Sequence, residues 1–96
     1  MRRDDVLRLL REHRAEIEAF RVKSLALFGS VARDEAGPDG DADVLVEFEG
    51  ATRFRAYMGL KEFLESLLAT GVDLATPEMI RTEIAASVRR DLLRVA

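Results

Sequence analysis

The chain has 96 residues, 48% of them apolar and 34% charged, with a formal net charge of −3. One domain over residues 1–96 with a modest core is expected, and the net acidity argues against a nucleic-acid binder working through its global field. There is no cysteine, which excludes disulfides, thiolate nucleophiles and thiolate metal sites, and no apolar run approaches membrane-spanning length.

The start, Met1-Arg2-Arg3, is basic like a secretion signal, but Asp4 and Asp5 follow in place of an apolar segment. A cytoplasmic location is the expectation. Residues 4–20 predict an amphipathic helix capped by Asp4 or Asp5, with Val6, Leu9, Leu10, His13, Ile17 and Phe20 on one stripe. His13 is the single histidine and reads as a packed or boundary residue of that stripe. Residues 22–28 predict a strand that stops at Gly29, and Ser30 can cap a short helical turn through Arg33. From Asp34 to Glu49 there are seven carboxylates and no base, a concentration that repels itself without a cation. Gly37-Pro38-Asp39-Gly40 within it predicts a loop.

Residues 42–48 predict a second strand, ended by Gly50. Residues 53–69 predict a helix, with Tyr57, Leu60, Leu64, Leu67 and Leu68 at helical spacing and Gly71 as its stop. Residues 72–76 predict a short third strand. Thr76-Pro77-Glu78 has the chemistry of a helix start: a cap, a proline at the first helical position, an acid near the positive end. Ile80, Ile84, Val88 and Leu92 continue that last helix, and Val95 either begins a stub of strand or frays. Residues 81–96 carry four arginines against two acids, which reads as a solvated helix face. The short link between the first two strands suits an antiparallel pair, and the third, after a full helix, can run parallel to one neighbour. An α+β fold follows, a small mixed β-sheet with flanking helices.

Asp41 and Asp43 carry the chemistry. They lie two apart at the mouth of a strand, so their side chains leave on one face, with Cα atoms roughly 6.5–7 Å apart. Carboxylates so placed can close on two metal ions about 3.5–4 Å from each other. Mg²⁺ suits them, being hard, oxygen-loving and at home among a few carboxylates and substrate phosphates. Alone, Asp-x-Asp reads as a solvated strand end. Gly29-Ser30 changes the balance, because a strand running into Gly-Ser and a short turn exposes successive N–H groups to an anion. Glycine permits close approach, Ser30 adds a hydroxyl, and Arg33 can reach the same phosphates or pair with an acid. Alone, Gly-Ser is an ordinary strand-to-turn cap and Arg33 a surface ion pair. Asp73 stands between Val72 and Leu74, where a charge needs a reason. Beside the second strand it completes a carboxylate triad, holding the catalytic metal and drawing the proton from an attacking hydroxyl. The alternative is an exposed strand end. No Walker pattern or dinucleotide fingerprint is present.

Gly29-Ser-Val-Ala-Arg33, the spacer, Asp41-Ala-Asp43-Val-Leu-Val and the downstream Val72-Asp73-Leu resemble the minimal nucleotidyltransferase (MNT) domains of the DNA-polymerase-beta-like superfamily. The resemblance spans nearly the whole chain. Gly40 stands where the family most often has serine, and Val44 where it has leucine. The resemblance implies the family's nucleotidyltransferase fold, with Gly29 and Ser30 on the triphosphate. Asp41 and Asp43 would hold both Mg²⁺ ions and Asp73 the catalytic one. It further implies transfer of a nucleotidyl group, AMP from ATP foremost, to a hydroxyl with loss of pyrophosphate. Many small members pair with a HEPN-domain toxin as its antitoxin, some by adding AMP to a toxin tyrosine. The small size independently points to an acceptor surface on another chain, hence a hetero-oligomer. Two other readings stand beside this one: a non-catalytic module that neutralises a partner by occupancy, and transfer to a small molecule.

Overall fold

A computed structural model describes residues 2–34, 41–50, 54–79 and 92–95. Along these run α1 (Arg3–Glu12), α2 (Arg14–Glu18), β1 (Val22–Phe28), α3 (Gly29–Ala32), β2 (Ala42–Phe48), α4 (Phe54–Leu68), β3 (Val72–Ala75), a 3₁₀ turn (Pro77–Met79) and β4 (Leu93–Arg94).

The helix expected over 4–20 is two helices, broken at His13, whose backbone leaves the helical region (φ −107°, ψ 22°). The imidazole Nδ1–H donates to the Leu9 carbonyl at 2.9 Å, and that carbonyl also accepts the His13 backbone N–H at 3.2 Å. The ring meets Phe63 edge-on, so His13 is the boundary residue expected of it. Neither Asp4 nor Asp5 caps α1. Both lie in its first turn, the cap residue is Arg2 without a side-chain bond, and the Arg3 N–H goes instead to Asp34 Oδ1 at 2.9 Å.

The sheet has the order β3-β2-β1-β4. Antiparallel pairing of β1 with β2 runs from Val22↔Phe48 to Phe28↔Asp43. The β2–β3 pairing is parallel, with Asp43 beside Asp73. Such a pair needs a crossover, and α4 supplies it. Val95 continues the edge: β4 pairs with β1 and the Val95 N–H donates to the Leu25 carbonyl at 2.7 Å. Alternation sends Ala42, Val44 and Val46 into the core while Asp43 and Glu47 face the other way. Val6, Leu10 and Ile17 from α1 and α2 and Leu60, Leu64 and Leu68 from α4 close that core.

Helix α4 stops earlier than its glycine signal. Ala69 takes the left-handed conformation (φ 55°), two residues before Gly71. The helix expected after Thr76 is seen as the 3₁₀ turn Pro77–Met79, where the Met79 N–H donates to the Thr76 carbonyl at 3.0 Å. Its continuation through Ile80, Ile84 and Val88 lies outside the described residues, as does the loop 36–40 with Gly40.

Candidate active site

The site lies where β1 ends and β2 and β3 begin. Phe28, the last residue of β1, faces Asp43 across the sheet, so the chain turns into α3 directly beside that carboxylate. Gly29 makes the turn at φ 69°, a conformation that L side chains rarely adopt. A second constraint acts on the same residue, since a Cβ there would fall onto Asp43 Oδ2. Glycine is therefore required for both backbone and space.

Ser30 does not cap the turn: the cap position is Phe28 and no side-chain bond is made there. Ser30 is the second residue of α3 and half-buried. Val31 and Ala32 are buried and anchor the turn, so the turn is held by packing. Arg33 follows with its side chain exposed and its N–H bonded to the Gly29 carbonyl at 3.2 Å.

Asp43 and Asp73 are register partners in the parallel pair, so their side chains leave the same face of the sheet side by side. Asp73 is exposed, as a strand-end residue would be, yet it is not isolated. Asp41 precedes β2, is exposed, and leans over Gly71, where a Cβ would approach its Oδ1 to 2.5 Å. The Ala42 N–H to Gly71 carbonyl bond, 3.0 Å, fixes that closeness. Gly71 thus has a function hidden by its reading as a helix stop: it leaves room for Asp41.

The electrostatics follow from this crowding. Asp43 has its pKa raised from the usual 3.8, first by burial, then by the Asp73 charge and hydrogen bond and by Asp41, while the Arg33 guanidinium acts in the opposite sense. Arg33 is thereby placed within the field of the acids. Among the described residues no three carboxylate or imidazole groups form a ready-made metal cluster. The arrangement is a register pair, Asp43 and Asp73, with Asp41 acting on Asp43 by charge.

Residues 7–94 match the family model for the nucleotidyltransferase domain. The chain belongs to that family. It is 36% identical over 93 residues to the protein adenylyltransferase MntA of Thermococcus cleftensis, covering 96% of this chain and 94% of the relative. A Methanocaldococcus jannaschii protein assigned as a protein adenylyltransferase is 37% identical over 95 residues, covering 95% of each chain. A solved structure assigned as a minimal nucleotidyltransferase superposes with a TM-score of 0.81 at 33% identity, over 97% of this chain and 95% of the other. A chain from the complex of tri-AMPylated Shewanella oneidensis HEPN toxin with MNT antitoxin shares the fold at a TM-score of 0.67 and 19% identity, over 94% of this chain and 71% of that one. The mixed four-stranded sheet with its helices is therefore the minimal nucleotidyltransferase fold, and the protein is a nucleotidyltransferase.

Proposed function

We propose that this nucleotidyltransferase moves AMP from ATP to a hydroxyl of a partner protein, and that the partner is a HEPN-domain toxin which it neutralises. The observation that carries the reading is the pairing of Asp43 with Asp73 across the parallel strands, beside the Gly29 turn. Relatives named as protein adenylyltransferases along nearly their whole length support the acceptor class. A chain of similar fold from a complex of HEPN toxin with MNT antitoxin supports the partner, and one from a toxin-antitoxin structure with AMP-PNP supports the nucleotide.

The donor set suits Mg²⁺: all oxygen, anionic, and crowded enough that burial and like charge oppose the ionisation of Asp43. Asp41 and Asp43 would hold both ions and Asp73 the catalytic one. Bound there, Mg²⁺ would supply Lewis acidity and positive charge for the phosphate oxygens. The chain's own residues do the rest. The Gly29 turn and the Ser30 hydroxyl receive the triphosphate, and Arg33 adds positive charge to it. Asp73 takes the proton as the acceptor oxygen attacks the α-phosphorus and the bond to pyrophosphate breaks.

Incubation with ATP, Mg²⁺ and a HEPN-domain protein, the expected product of the neighbouring gene, tests this. Intact-mass spectrometry is expected to find AMP on the toxin, and Asp41→Ala/Asp43→Ala to lose it by on the order of 10²–10³-fold. A double variant that neutralises the toxin as well as the wild type would establish occupancy instead of catalysis. Added mass on a small molecule would establish the third reading.

A further inference from the structure

Strand β3 lies at the edge of the sheet, yet its outer side is not bare. The Gly71 carbonyl faces β2, where it accepts the Ala42 N–H. Backbone groups alternate along a strand, so those of Val72 and Leu74 face away from β2. Both have partners, and both partners come from α4. The Val72 N–H donates to Glu65 Oε2 at 3.1 Å, and the Tyr57 hydroxyl donates to the Leu74 carbonyl. Tyr57 and Glu65 are eight residues apart, about two turns, on the face of α4 that looks at β3. Both are half-buried. Asp73 is the residue between the two anchored positions.

We propose that Tyr57 and Glu65 are positioning residues, a two-point clamp that holds β3 so that Asp73 stays opposite Asp43. This rests on the reading of Asp73 as the proton acceptor and metal ligand. The sheet fixes β3 from its inner side only, and a four-residue strand has few such bonds. Two side-chain bonds bracketing Asp73 remove the remaining freedom, the shift or roll that would carry its carboxylate away. Side-chain contacts of this kind matter because a misplacement of about 1 Å at a reacting group can cost 10²-fold in rate. The contribution of Glu65 is its acceptor oxygen and not its charge. Its other contact, Lys61 Nζ at 3.7 Å, is a partly exposed pair one turn away.

The test compares Tyr57→Phe, Glu65→Leu and Glu65→Gln with wild type and Asp73→Asn, using α-labelled ATP and the HEPN protein. Tyr57→Phe and Glu65→Leu are expected to lower kcat about tenfold each with the KM for ATP unchanged within about twofold. Glu65→Gln keeps the acceptor and is expected to stay near wild type. Hydrogen exchange read by NMR follows the clamp apart from activity: the Val72 amide exchanges faster in Glu65→Leu and not in Glu65→Gln. If Glu65→Leu does not fold, the isosteric Tyr57→Phe carries the test. Unchanged kcat in Tyr57→Phe and Glu65→Leu, with Asp73→Asn inactive, overturns the clamp alone. Full activity in Asp73→Asn overturns both the clamp and the role of Asp73 on which it rests.

Discussion

Gly29 bears two separate demands, a left-handed backbone and the closeness of the Asp43 carboxylate. Gly29→Ala is therefore expected to cost about 1–2 kcal/mol in stability from the backbone alone, read by urea unfolding, and to displace Asp43. Burial and the neighbouring acids oppose the charged form of Asp43 in the folded chain. Its pKa is raised, so between 3.8 and the folded value the native chain holds more proton than the unfolded one. Stability from that proton is full below 3.8 and is lost as pH rises through the folded value. In EDTA, Asp43→Asn is expected to melt above wild type at pH 7, with the gap narrowing as pH falls through the folded value and closed below 3.8. The placement of most candidate residues was legible at this scale. Asp41, Asp43, Asp73 and Gly29 stand out because strand alternation and turn chemistry leave few other uses for them. Gly71 was not legible in its second role, since a stop signal after a helix already accounts for a glycine, and only the β2–β3 register shows Asp41 above it. Ser30 lies two positions past the cap, Phe28, although its residue type suggested the cap itself.

Helix ends were the least legible feature. Arg21, Asp34 and Ala69 all take the left-handed conformation where the helices α2, α3 and α4 finish, and none is glycine. Propensity favours glycine there, but packing on either side sets the path of the chain. Asp34 adds a bond to that strained position, since its carboxylate accepts the first N–H of α1. Asp34→Ala is expected to lower stability by about 1 kcal/mol, the usual cost of a lost cap, measured by urea unfolding. The break at His13 was hidden because its stripe keeps helical spacing through Ile17. Strands and apolar stripes were read more closely: Leu60, Leu64 and Leu68 are buried at the spacing that predicted α4. Leu64→Ala is expected to cost about 2–5 kcal/mol, because Leu64 is wholly buried and the void cannot fill.

At the scale of the whole molecule, one sheet end gathers the chemistry. An antiparallel partner brings Gly29 to Asp43, and a parallel partner brings Asp73 to the same residue, although the three are distant in sequence. The strand order was open in the sequence, which gave only the short first link and the full helix before β3. The parallel register decides the site, because a slip of one residue would send Asp73 to the core face. Pro77 to Met79 lie at the opposite sheet end, where the Glu78 pKa is lowered by its own backbone N–H and by Thr76. Among the described residues no helix is long and apolar enough to cross a membrane.

The most direct test of the account follows the phosphorus. ATP labelled at the α-position, and separately at the γ-position, is incubated with Mg²⁺, the HEPN protein and either wild type or Asp43→Asn. The account predicts α-label on the HEPN protein, γ-label released in pyrophosphate, and neither event with Asp43→Asn. Absence of α-label from the HEPN protein, or equal labelling by Asp43→Asn, would contradict it.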